Sequence, residues 1–202
     1  MIFFHPRIKV FLMILFIGML TSFCASKNLL TVKYQLPPQP VEPKEMRVAL
    51  QVKDMRENPN IATKSARMAL KNFSGDFVLI VAQENKNDKL VGAFGLSSMI
   101  KKIFKHRLEN AGVVVDEERD PSIPLVEIVL KEFTIDLPNR NWVITMNYQA
   151  NLIEQNRVVA GETVTGSAER LRVIGSKDAE IVLGELVTEV ANKLNLNELL
   201  PF

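Results

Sequence analysis

Residues Trp142–Leu152 constrain the fold more than any other stretch, because apart from Val143 their side chains alternate between apolar and polar. The polar parity holds Thr145, Asn147, Gln149 and Asn151, and the apolar parity holds Trp142, Ile144, Met146, Tyr148, Ala150 and Leu152. Successive side chains of a strand point to opposite faces of its sheet. The pattern therefore predicts a strand with one buried face and one solvent-exposed face.

The remaining elements follow from the same periodicities. The turn Glu154–Arg157 joins the alternating strand to Val158–Glu169, which predicts a hairpin. Leu125–Leu137 changes its apolar parity near Lys131, which predicts a strand with a β-bulge. Arg47–Met55 alternates as a further strand, and helical spacing of apolar residues predicts one helix from Leu96 and another from Ser176. We expect an α+β domain over 46–202, with a mainly antiparallel sheet and two amphipathic helices packed on one face.

The N-terminus has the features of a secretory signal peptide of the lipoprotein type over residues 1–23. Arg7 and Lys9 precede an apolar run over 10–20, and Cys24 follows it. A membrane-spanning helix needs about 20 apolar residues, which this run lacks. An uncleaved anchor helix is the alternative.

Cys24 is the sole cysteine of the chain, so it cannot form a disulfide within one molecule. Its position at the end of the apolar run favours lipidation, which would make it the N-terminus of the mature protein. Thr21 and Phe23 depart from the usual lipobox. The alternative is that Cys24 is a small residue of the signal and that cleavage occurs elsewhere.

Residues 24–45 are predicted to carry the lipidated cysteine and a tether. Pro37, Pro38, Pro40 and Pro43 favour an extended polyproline spacer, which would hold the domain away from the bilayer. The alternative is that Leu29–Tyr34 packs on the domain as an edge strand.

The charge balance argues against nucleic acid as a partner. The whole chain has a formal net charge of +2, but Arg7 and Lys9 are the only charges of residues 1–23. The rest of the chain is neutral, and it lacks the excess of basic residues on which nucleic-acid binding depends.

The polar residues offer little catalytic chemistry. His5 belongs to the predicted signal, so His106 is the histidine left for acid–base work, and it is predicted to be a solvated residue of the first long helix. One histidine and an anchoring cysteine cannot form a zinc site. The acidic turn Asp116–Asp120 lacks the spacing of a calcium loop. The sequence thus predicts no enzyme, no catalytic residue, no metal and no cofactor.

Asp54 and Arg56 are the most informative polar pair, because they end the strand that contains Val52. They are predicted to form either a structural ion pair or a binding pair, and an exposed pair would contribute under about 1 kcal/mol.

The order of these motifs resembles the YajG-like family of bacterial envelope lipoproteins. The resemblance rests on Cys24, the proline-rich segment, the V-x-D-x-R strand end at Val52–Arg56, the helix end at Leu108–Gly112 and the leucine-rich C-terminus. It implies a membrane-anchored lipoprotein with no catalytic residues to assign. In that setting Ala25 favours the outer membrane, with the domain facing the periplasm.

These features lead to three functional hypotheses. The first is a non-enzymatic binding or assembly factor of the envelope, with an envelope protein or a lipid as its partner. The alternative is an auxiliary lipoprotein of a lipid or lipopolysaccharide transport system. The third is a carboxylate-based hydrolase.

Overall fold

Strands dominate the computed structural model, which describes residues 28–40, 46–83, 87–116, 120 and 122–200. The strands are β1 (Asn28–Gln35), β2 (Arg47–Asp54), β3 (Phe73–Ala82), β4 (Lys89–Gly95), β5 (Val114–Asp116), β6 (Leu125–Asp136), β7 (Asn141–Glu154) and β8 (Arg157–Leu171). The helices are α1 (Lys64–Leu70), α2 (Leu96–Asn110), α3 (Ser176–Lys193) and α4 (Leu196–Leu199), with a 3-10 turn at Pro138–Arg140.

The strands form two sheets of mixed direction. One has the order β1-β3-β4 and the other β5-β2-β6-β7-β8. The predicted α+β class is confirmed. The predicted antiparallel arrangement is wrong for the pairings of β1 and β2. β1 pairs in parallel with β3, and β2 pairs in parallel with both β5 and β6. Parallel neighbours require long crossover connections, and the periodicity of one strand carries no information about which distant strand lies beside it.

The β6–β7–β8 meander agrees with the sequence pattern. The six apolar side chains of the alternating strand are all buried, from Trp142 to Leu152. The β6–β7 register shifts between Leu130 and Glu132, where the β-bulge was predicted. The hairpin turn has Gln155 and Asn156 at φ 49° and 63°, the left-handed pair of a type I′ turn.

Residues 28–35 belong to the folded domain, which corrects the predicted tether over 24–45. Leu30, Val32 and Tyr34 of β1 are at most 1% exposed and lie in the main core. The alternative of an edge strand describes this segment correctly. The prolines begin only at Pro37, whereas 28–35 alternates apolar and polar residues as a half-buried strand does.

Helix α3 contacts β1 of one sheet and both β7 and β8 of the other. Two glycines allow this close approach. A Cβ at Gly184 would collide with the carbonyl oxygen of Lys33, and a Cβ at Gly166 on β8 would collide with Val190 of the helix. The close packing of α3 on both sheets therefore depends on the absence of a side chain at these two positions.

Candidate functional site

A groove lies between α3 and the outer side of β1. Its volume is about 730 Å³, within the range typical of small-molecule sites. Ile181 lies in it and is 41% exposed, and most of the exposed lining is apolar. Its lining includes Thr31, Lys33 and Gln35 on the strand, and Lys177, Glu180, Ile181, Glu185, Thr188 and Glu189 on the helix.

Side chains of α3 close the free edge of β1 beneath this groove. The N–H of Thr31 donates to Glu180 Oε1 at 2.8 Å, and the N–H of Gln35 donates to Thr188 Oγ1 at 3.1 Å. Asn192 Nδ2 donates to the carbonyl oxygen of Gln35 at 3.1 Å. An open edge strand would invite a further strand, but here the helix already uses the backbone groups of Thr31 and Gln35. The groove can therefore hold a ligand, while strand addition at this edge is blocked.

Several charged residues of the groove are engaged in local contacts. Glu180 accepts the hydrogen bond from Thr31, and Glu185 lies 3.6 Å from Arg170. Lys33 forms an ion pair of 2.7 Å with Asp88. The described lining contains no histidine or cysteine.

A second, more polar pocket of about 440 Å³ lies beside Pro37 and Pro38. Arg107 reaches it and donates from Nε to the carbonyl oxygen of Ala191 at 3.3 Å. Burial lowers the pKa of Arg107. Asn192 also lines the pocket, and its buried Oδ1 accepts no hydrogen bond from the described residues.

Asp54 and Arg56 meet at the end of β2, away from the groove. Arg56 Nε donates to Asp54 Oδ1 at 2.9 Å, and Nη2 donates to Oδ2 at 2.8 Å. These hydrogen bonds lower the pKa of Asp54. The Arg56 side chain is only 7% exposed, and its Nη1 has no partner among the described residues. A binding role for the pair stays a prediction.

His106 is a correction to the predicted solvated histidine. It is half-buried on α2, and its Nδ1 lies 2.7 Å from the hydroxyl of Tyr34. Burial lowers the pKa of His106 and raises that of Tyr34. A neutral imidazole whose Nδ1 accepts a hydrogen bond from the Tyr34 hydroxyl satisfies the hydrogen-bonding needs of both side chains. This matters because Tyr34 is buried in the core.

Cys24 and the predicted signal lie outside the described residues, so lipidation stays a prediction. No helix within the described ranges is long and apolar enough to span a membrane. In the same part of the chain, no group of three or more histidine, cysteine or acidic residues could hold a metal ion. Only Asp116 and Asp120 of the predicted acidic turn belong to the described residues. Asp116 forms an ion pair of 2.9 Å with Arg47, and Asp120 accepts a hydrogen bond from the Ser122 hydroxyl.

Comparison with known proteins gives no family. No family model and no curated protein matches the chain, so the YajG-like resemblance is not confirmed. Protein XCC0632 from Xanthomonas campestris, of the DUF330 family, is 16% identical over 82% of this chain and 90% of its own, with a TM-score of 0.48.

Two solved lipoproteins are also similar to this chain. Rare lipoprotein B from Shewanella oneidensis is 10% identical over 71% of this chain and 87% of its own, with a TM-score of 0.35. Lipoprotein GNA1162 from Neisseria meningitidis is 15% identical over 71% of this chain and 94% of its own, with a TM-score of 0.29. These likenesses are too low to assign a function to the chain.

Proposed function

We propose that the chain is an exported envelope lipoprotein whose domain is a non-enzymatic binding module. The observation that supports this most directly is the groove between α3 and β1. It has the volume of a ligand site, and Glu180 and Lys33 in its lining are held in local contacts. Its largest exposed apolar side chain is Ile181. We infer that the groove binds an apolar ligand.

The occupant we propose is the acyl chain of a membrane lipid. The groove follows α3 from Lys177 to Glu189, a path of about 18 Å at 1.5 Å per residue. The hydrocarbon core of a bilayer is about 30 Å thick, so the chains of one leaflet extend about 15 Å. The groove thus has the length of one such chain, and the stems of its lysines and glutamates add apolar surface along its sides.

Native mass spectrometry tests this occupant. The chain is purified from envelopes in mild detergent, and the wild type is compared with Ile181→Glu and Val159→Glu. Val159 is an exposed residue near the hairpin turn of β8, outside the groove. We expect lipid adducts on the wild type and on Val159→Glu but not on Ile181→Glu. Wild-type protein of apo mass, or adducts that persist in Ile181→Glu, would contradict a lipid in the groove.

The anchor that we propose is a lipid on Cys24, with the outer membrane as the destination and the domain facing the periplasm. The support is the signal-like segment that ends at this sole cysteine. Metabolic labelling with radioactive palmitate should mark the wild type, and the label should disappear in Cys24→Ser. Separation of inner and outer membranes then tests the destination. A labelled Cys24→Ser chain would contradict the anchor.

A role as an auxiliary lipoprotein in lipid or lipopolysaccharide transport is the second candidate, and the groove favours it as well. Such a protein would accept a lipid and contact a transporter. A photo-crosslinking residue at Glu185, which is on the groove and exposed, should then capture the same envelope protein reproducibly. Capture of lipid alone would favour a simple lipid-binding module, and capture of one protein without lipid would favour an assembly factor.

A further inference from the structure

The last residue of β8 and the loop that follows it expose three large apolar side chains, and we call residues 171–174 the apolar loop. Leu171, Val173 and Ile174 are 56%, 75% and 66% exposed, and Arg172 lies among them. Contiguous exposed apolar residues are a common feature of protein and membrane contact sites.

Buried groups hold this loop in place, so its exposure does not reflect a loose connection. The N–H of Val173 donates to Asp178 Oδ2 at 2.7 Å, and the N–H of Ile174 donates to the same oxygen. Trp142 Nε1 donates to the carbonyl oxygen of Gly175 at 2.9 Å. Asp178 is 4% exposed and Trp142 is fully buried. The fold therefore presents Val173 and Ile174 outward from a fixed base.

Basic residues surround this loop. The N–H of Arg172 donates to the carbonyl oxygen of Arg140 at 2.8 Å, which places the two arginines side by side. Lys177 follows on the first turn of α3. Arg140, Arg172 and Lys177 are all exposed.

Helix α1 lies at the same end of the domain and adds further basic residues. Its N-terminus is fixed beside the end of β6, where the N–H of Thr63 donates to Ile135 at 3.0 Å. At its other end the carbonyl oxygen of Leu70 accepts from Asn28 at 2.9 Å. Its exposed residues include Met68, which is 70% exposed. We call this surface the basic end: Lys64, Arg67, Met68, Lys71, Arg140, Leu171, Arg172, Val173, Ile174 and Lys177.

The acidic residues at this end are fewer. They include Asp76, Asp136, Glu169 and Glu180, besides the buried Asp178. Asp136 already accepts hydrogen bonds from Thr63 and Ser65. The basic end thus carries six bases and has an excess of positive charge beside its apolar residues.

The chain enters the domain at this same end. Helix α3 and β1 run in the same direction, since Thr31 contacts Glu180 and Gln35 contacts Thr188. Four helical residues advance about 6 Å and two strand residues about 6.6 Å, so the start of β1 lies level with the start of α3. Asn28 therefore lies at the same end of the domain as the apolar loop. Cys24 precedes Asn28 by four residues, which span at most about 14 Å.

We propose that the basic end rests on an anionic membrane surface, with Val173 and Ile174 inserted at the boundary between headgroups and acyl chains. Basic residues beside exposed apolar side chains are the chemistry of interfacial lipid binding. A lipid on Cys24, which belongs to the proposed function, would hold the same end against the bilayer. The Lys177 end of the groove would then open toward the membrane.

Tryptophan fluorescence quenching by brominated lipids tests this orientation in the full chain. The variants Val173→Trp and Val159→Trp are reconstituted into vesicles that contain brominated phosphatidylglycerol. Val159 is a matched control, because it is an exposed valine near the opposite end of the β7–β8 hairpin. Both variants retain the buried Trp142 as a constant background.

We expect bromolipid to quench the Val173→Trp reporter at least threefold more than the Val159→Trp reporter. Phosphatidylcholine vesicles should reduce that difference. Neutralisation of Arg140, Arg172 and Lys177 to glutamine should reduce it too, because each base contributes about a fivefold factor to binding at an anionic surface. Equal quenching of the two reporters would overturn the proposal.

Two further readouts separate the competing explanations. Flotation of the vesicles shows whether the protein is anchored to them. Protein that does not float with the vesicles would contradict lipidation of Cys24. Protein that floats but shows equal quenching of the two reporters would contradict the membrane contact of the basic end. Sedimentation equilibrium of the chain in detergent detects a dimer. A dimer that the double variant Val173→Ser and Ile174→Ser abolishes would assign this surface to a second copy of the chain and would overturn the membrane contact.

Discussion

Substitution of Gly184 by alanine should destabilise the domain, although alanine is the better helix former. A Cβ at this position would collide with the backbone carbonyl oxygen of Lys33, and backbone atoms cannot rotate away as a side chain can. Helix α3 would have to withdraw from β1 until the two atoms reach ordinary contact, at 3.4 Å or more. That movement would stretch the hydrogen bonds of Thr31 and Gln35 to the helix.

The expected magnitude follows from these opposing effects. Alanine gains about 1 kcal/mol of helix propensity over glycine. Overpacking costs about 1–3 kcal/mol. The hydrogen bond of Thr31 to the Glu180 carboxylate contributes about 1.5–3 kcal/mol, and a neutral one such as that of Gln35 contributes about 1 kcal/mol. Because the hydrogen bonds are stretched and not lost, only part of their contribution is removed. We therefore expect the free energy of unfolding to fall by about 2–4 kcal/mol, a large part of the 5–15 kcal/mol typical of a domain.

Urea denaturation followed by the fluorescence of Trp142 measures this change, because this tryptophan is the only one in the chain and is fully buried. Glu185→Ala is the matched control on the same helix. Its ion pair with Arg170 spans 3.6 Å between exposed side chains, so its loss should cost under about 1 kcal/mol. A Gly184→Ala domain as stable as the wild type would refute the close packing of α3 on β1.

Three further predictions concern other polar contacts. In urea denaturation, Asp54→Ala should lower the free energy of unfolding by about 1–3 kcal/mol more than Arg56→Met does. The reason is that Asp54→Ala leaves a buried guanidinium without its counter-ion. Equal losses in the two variants would contradict this. Burial lowers the pKa of His106 in the folded domain. As the pH falls, the histidine is therefore protonated in the unfolded chain before it is protonated in the folded one. The stability that depends on a neutral His106 is lost as the pH falls below about 6.5. Melting curves of His106→Gln should show a smaller loss between pH 7 and 5 than the wild type, and an unchanged loss would argue against it. Asp178→Ala should lower the free energy of unfolding by about 2–4 kcal/mol, since its buried carboxylate accepts two backbone N–H groups of the apolar loop; rapid hydrogen exchange at Val173 should accompany the loss.

The sequence was sufficient where local periodicity decides the structure. The buried face from Trp142 to Leu152, the bulge near Lys131 and the hairpin turn before Arg157 are all present. Each depends on contacts between neighbouring residues or on the alternation of a strand, which a single sequence displays directly.

The sequence was insufficient where distant segments meet. The parallel partners of β1 and β2 lie far along the chain, so no local pattern identifies them. The proline-rich composition after Leu36 also made the preceding residues resemble a tether, although Leu30, Val32 and Tyr34 alternate as β1 requires.

The groove could not be predicted either, because it forms between an edge strand and a helix that are about 150 residues apart. The one local signal is Gly184, a residue that weakens an isolated helix and lies in the middle of an otherwise strong one. Such a glycine indicates close backbone packing, but it does not identify the strand against which the helix packs.

A photoreactive fatty acid in living cells tests the binding function most directly. A diazirine acyl chain, once incorporated into membrane lipids and activated by light, labels the residues that surround it. If the groove holds a lipid chain, the labelled peptides should come from 31–35 and 177–189, and Ile181→Glu should remove the label while Val159→Glu retains it. Label distributed evenly over the surface, or label that persists in Ile181→Glu, would contradict a lipid-binding groove between α3 and β1.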